Sequence, residues 1–198
     1  MPLVLVCDNL LLSLLAGTVL LVVIAHSWDF GLRKRVAIAH FMITDDLSKG
    51  NIQVTYFLEH LVQHYNNKYR AWGQPLIKTL ITTSDNCAAQ FRSRYHFAWM
   101  VDFAEESESV STVLAIYLAE YHGKGPADSA AGGAKTKADE AAVYGTTIET
   151  AYDLFLFLNA HYKEVTHQIV FQFVEHSAIL FSKPAPDLNF YSGYGGTS

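Results

Sequence analysis

The chain has 198 residues, 51% of them hydrophobic and 13% aromatic, which suits one substantial core and argues against both wholesale disorder and two full domains. Its net charge of −5 argues against a dedicated nucleic-acid-binding face, because neutralising phosphates takes a basic surface, so any grip on DNA has to be local. Cys7 and Cys87 stand in unrelated contexts, without the spacing of a disulfide framework or a zinc site, and a reducing, intracellular compartment is the simpler reading.

From Asn9 to Trp28 no formally charged residue occurs, and two readings stay open. The run is either buried core or a membrane segment over residues 9–28 with Arg33, Lys34 and Arg35 as its basic flank. No basic stretch precedes it, so a secretory signal peptide is poorly supported. Gly17 and Thr18 divide the run into Leu10–Ala16 and Val19–Ala25, and the valine-rich second piece suits a central strand. The expected organisation is therefore an apolar segment over residues 1–18, a domain over 19–182 and an irregular tail over 183–198 with Pro184, Pro186 and a glycine-rich end.

Within the domain, Val19–Ser27 reads as the first strand, delivering Asp29 at its end, and Val36–Thr44 as a second strand closed by Asp45 and Asp46. Val54, Phe57, Leu58, Leu61, Val62 and Tyr65 recur at three-four spacing, the signature of an amphipathic helix over Ile52–Tyr65. Leu76–Thr82 is expected as a strand parallel to Val19–Ser27 and adjacent to it, since both runs are β-branched and suited to burial on two faces. A helix over Ala88–Phe103, a strand over Thr112–Leu118 and a helix over Lys135–Tyr144 stopped by Gly145 follow. Thr147 reads as the cap of a helix over Ile148–Leu158, and Gln168–Val174 as a late strand. This order implies an α/β mixed sheet flanked by helices on both faces.

Two stretches carry most of the chemistry: Thr83-Ser84-Asp85-Asn86-Cys87-Ala88-Ala89-Gln90-Phe91 and His122-Gly123-Lys124-Gly125-Pro126-Ala127-Asp128. Each follows a β-branched run, and groups at the carboxyl ends of strands in an α/β sheet face one crevice. Three carboxylates in such a crevice repel one another unless a cation lies among them. Asp85 has a plainer use as a helix cap, and Gly123, Gly125 and Pro126 suffice to shape a turn around solvated His122 and Lys124. In the functional reading Lys124 touches a scissile phosphate, and His122 ligates metal or orients a carboxylate. Gly132-Gly133 before Lys135 lacks the spacing of a phosphate-binding loop, so no nucleotide cofactor is expected. His60 and His64 share a helix face at ligand-like spacing but lack the glutamate of a zinc protease. Arg92 and Arg94 read as a solvated helix face or as a backbone contact for nucleic acid.

The string from Thr83 to Arg94, with that from Tyr121 to Asp139, resembles the transposase-derived, RNase H-like domains with Ser-Asp-x-x-x-x-Gln and His-Gly-Lys-Gly-x-x-Asp motifs. The likeness covers about residues 28–160; Asn86 and Ser129 stand where that family usually has glycine. The resemblance implies an RNase H-like mixed sheet whose acids hold Mg²⁺ or Mn²⁺ for cutting and joining DNA strands, in a nuclear setting. In that family the first acid ends the first strand, the second follows the fourth, and the third lies near the helix after the fifth. Carried over, these are Asp29, Asp85 and Asp128, which become the expected metal-binding and catalytic residues, with His122 and Lys124 beside them. Three functional readings follow: an active DNA nuclease or transposase, a non-catalytic folded remnant serving as an interaction module, and a membrane-anchored protein.

Overall fold

The computed structural model describes residues 2–7, 12–13, 18–48, 50–84, 92–118, 125–163 and 169–180. In chain order these form β1 (Pro2–Cys7), β2 (Leu12–Ser13), β3 (Val19–Asp29), β4 (Lys34–Thr44), α1 (Asn51–Ala71), β5 (Thr79–Ser84), α2 (Arg94–Glu106), β6 (Thr112–Tyr117), α3 (Pro126–Val143), α4 (Ala151–Lys163), β7 (Ile169–Val174) and α5 (His176–Leu180). The strands make one seven-stranded sheet in the order β6-β5-β1-β3-β4-β7, with the short β2 paired to β3. It is mixed: β1 is parallel to β5, β5 to β6 and β4 to β7, while β3 is antiparallel to both β1 and β4. The α/β class read from the sequence is the observed one.

Alternation along β3 explains why the sheet is covered on both sides. Leu21, Val23 and Ala25 enter one core with α1, α2 and α5, while Leu20, Val22 and Ile24 enter the other with α3 and α4. A strand buried on both faces reads as one continuous apolar run, which is why these residues also resembled a membrane segment. They form a strand in the middle of the sheet, and among the described residues no helix is long and apolar enough to cross a membrane.

α1 presents Val54, Phe57, Leu58, Leu61, Val62, Tyr65 and Tyr69 to the first core, and runs on past the Tyr65 expected as its end. It stops at Gly73, whose left-handed φ of 63° lets the Gln74 N–H donate to the Tyr69 carbonyl at 2.8 Å. α3 lines the second core with Ala127, Ala131, Ala134 and Ala138. Their small side chains let the helix lie close to β3.

Several expectations need correction. Val19–Ser27 is neither the first strand nor a neighbour of β5: β1 lies between them, so β3 and β5 run in opposite directions. Within the apolar segment expected over residues 1–18, Pro2–Cys7 form a strand of the same sheet, between β3 and β5. α3 begins at Pro126 rather than Lys135, the alanine and glycine run being part of the helix. α4 is capped by Thr150 rather than Thr147; the Thr150 hydroxyl accepts from the Asp153 N–H at 3.1 Å, and the Asp153 carboxylate accepts from the Thr150 N–H at 2.9 Å. The described part of the second helix starts at Arg94, with Ser93 accepting from His96 N–H; residues 88–91 and the tail 183–198 lie outside the described residues.

Candidate functional site

Three neighbouring parallel strands end in register. Cys7 of β1 pairs with Ser84 of β5, and Ser84 with Tyr117 of β6, so all three leave the sheet at one edge, about 4.8 Å from strand to strand. The Leu118 N–H extends the ladder by donating to the Ser84 carbonyl at 2.8 Å. The residues that follow Cys7 and Ser84 in sequence are Asp8 and Asp85. Both lie outside the described residues, as do His122 and Lys124. Asp128 is described: it is half-buried, third in α3, beside the fully buried Ala127 that fixes this turn in the second core.

The edge has one cation described near it. Burial raises the Tyr117 phenol above its ordinary range, and the nearby Arg92 guanidinium opposes that rise. Arg94 instead lies over the Tyr95 ring, 5.1 Å from its centroid.

Asp29 does not belong to this group. Because β3 runs against β1, with Val4 opposite His26, Asp29 lies at the far edge of the sheet, where β1 begins. A six-residue strand, roughly 17 Å long, separates it from the Cys7–Ser84 edge. Its carboxylate accepts the Leu32 N–H at 2.8 Å, closing the β3–β4 turn in which Arg33 takes a left-handed φ of 51°. The expected convergence of Asp29 with Asp85 and Asp128 is thus corrected. Asp8 follows β1 directly in sequence, a position that the apolar run from Leu10 onwards drew attention away from.

The histidines form a different kind of cluster. His60 and His64 project from α1 towards β4, where the His40 ring lies 5.6 Å from that of His64 and His40 Nε2 lies 2.9 Å from the Tyr65 hydroxyl. His60 Nε2 meets Gln172 Nε2 on β7 at 3.3 Å. Burial lowers the pKa of all three imidazoles, that of His40 to about 3. Burial thus disfavours the charged form of each ring, and among the described residues no set of three or more His, Cys, Asp and Glu side chains could hold a metal ion.

Residues 21–186 match a family described as a domain of unknown function (DUF8701), and the chain belongs to that family. No curated protein and no solved structure matches it.

Proposed function

We propose that this DUF8701 domain is an RNase H-like, transposase-derived domain whose reaction is metal-dependent phosphodiester cleavage and strand transfer on DNA. The observation that carries the reading is the strand order. Setting aside the two-residue β2, the first, fourth and fifth strands are β1, β5 and β6, and they are consecutive parallel neighbours ending in register. The acids that follow the first and fourth strands are Asp8 and Asp85, and the helix after the fifth carries Asp128. The resemblance therefore transfers to Asp8, Asp85 and Asp128, with Asp8 taking the place first given to Asp29.

Carboxylate oxygens are hard donors that suit Mg²⁺ or Mn²⁺, and such ions, if bound, would supply activation of a water or 3′-hydroxyl and stabilisation of the leaving oxygen. The chain's own part is to supply two of these acids directly after the parallel strands β1 and β5 in sequence and the third from the first turn of α3. Lys124 contacts the phosphate, His122 orients a carboxylate, and Arg92 adds positive charge beside Tyr117. The half-buried Asp128, held by the anchored first turn of α3, supplies the third carboxylate.

A second reading, a folded remnant without activity, is favoured by the net charge of −5, which leaves DNA to be held by a few local cations. Short DNA duplexes incubated with the purified chain and Mn²⁺ separate the two. Cleavage that is abolished by Asp85→Asn and by Asp128→Asn, and weakened by added salt, supports the enzyme. Inactivity of a chain that still unfolds in one cooperative transition supports the remnant.

A further inference from the structure

α2 carries its charges against its own dipole. Arg92 and Arg94 stand at its amino-terminal end, and Asp102, Glu105, Glu106 and Glu108 at its carboxyl-terminal end. The helix macrodipole favours the reverse arrangement. No acid occupies the first turn and no base the last, so the helix itself gains nothing from this polarity. The polarity does suit an antiparallel neighbour of the same sequence.

The outer face of α2 has that form. Arg94, Phe97, Val101 and Glu105 follow one another at helical spacing, and all four are exposed, Phe97 by 45% and Val101 by 46%. His96, Trp99 and Phe103 turn the other way, into the protein. Read backwards, the stripe is complementary to itself: an antiparallel copy sets Arg94 against Glu105 and Phe97 against Val101.

β6 points to the same partner. It is the last strand at one side of the sheet, and among the described residues no strand pairs with its outer edge. Its sequence, Thr-Val-Leu-Ala-Ile-Tyr, contains none of the charges or prolines that commonly protect such edges, and Leu114 and Ile116 are 48% and 51% exposed. The Phe97 ring lies 6.2 Å from that of Tyr117, so the α2 stripe adjoins the β6 edge on the face where Val113 and Tyr117 pack, while Leu114 and Ile116 flank the same edge from the opposite face.

We propose that a second copy of this chain docks on this surface through an isologous twofold interface. β6 pairs antiparallel with the partner's β6 to continue the sheet, and α2 packs antiparallel on the partner's α2 with two Arg94–Glu105 pairs related by symmetry. One twofold axis, perpendicular to the sheet, satisfies the strand edge, the apolar stripe and the charge polarity together.

Sedimentation of the full chain across a micromolar concentration range tests this. A monomer–dimer equilibrium is expected, with Arg94→Glu raising the dimer dissociation constant about tenfold by setting like charges together, and the exchanged pair Arg94→Glu with Glu105→Arg restoring it. Ile116→Lys is expected to leave a monomer with an unchanged far-ultraviolet circular dichroism spectrum. A chain that remains monomeric throughout overturns the proposal, as does a dimer indifferent to Arg94→Glu and Ile116→Lys, or one that the charge exchange does not restore.

Discussion

His40 shows how one buried group sets the response of the protein to acid. Its imidazole is fully enclosed between β4 and α1, and desolvation lowers its pKa from 6.5 to about 3, with His64 and Lys68 adding like-charge repulsion. The unfolded chain therefore takes up a proton at a pH where the folded one does not. This contribution to stability is complete above about 6.5 and is lost as pH falls, by about 1.4 kcal/mol per unit down to about 3. Burial lowers His60 and His64 as well, so they act in the same direction. Urea unfolding measured between pH 7 and pH 4 should show stability falling with acidification, and His40→Gln should flatten that slope. A slope unchanged in the variant assigns the acid sensitivity to other groups.

At the scale of elements, β1 separates what the sequence discloses from what it withholds. Local periodicity is enough to find α1, because a three-four stripe from Val54 to Tyr65 has no other use in a folded chain. It is enough to find β5 and to place Asp85 just after it, since Thr79–Ser84 ends in a turn-forming string. It does not find β1, whose six residues are too few to show a period and stand just before a much longer apolar run, nor the insertion of β1 between β3 and β5. Strand order depends on pairings between residues far apart in sequence, and no local pattern encodes them. Glycine and alanine likewise disguise α3, because Gly132 and Gly133 lower helix propensity while the alanine stripe earns its place only once packed on β3. The position of β1 has a direct consequence. Leu3 and Leu5 are almost completely buried, worth about 3–6 kcal/mol together, and removing the strand also leaves β3 and β5 with unpaired backbone. Against a typical total of about 5–15 kcal/mol, a chain lacking residues 1–9 should show no cooperative thermal transition by circular dichroism. A retained cooperative transition would show β1 to be peripheral.

For the whole molecule, β1, β5 and β6 end at one edge of the sheet and β3 at the opposite one, and the proposed site lies at the first. The Ser84 and Asp128 regions were legible because their motifs are local, whereas the choice between Asp8 and Asp29 required the direction of β3 relative to β1. Asp29 also has a structural task of its own, closing the turn before Arg33 through Leu32. In the proposed reading, neutralising Asp8 takes a charged oxygen ligand from the metal, whereas an Asn in place of Asp29 still accepts the Leu32 N–H and leaves the turn closed. Titration calorimetry with Mn²⁺ on the wild type and on Asp8→Asn, Asp85→Asn and Asp29→Asn distinguishes them most directly. The account predicts binding that Asp8→Asn and Asp85→Asn each weaken about tenfold or more, given that even hydrogen-bond partners of metal ligands are worth about ten- to a hundredfold, and that Asp29→Asn leaves unchanged. Binding that survives Asp8→Asn, or that is lost in Asp29→Asn, would contradict it.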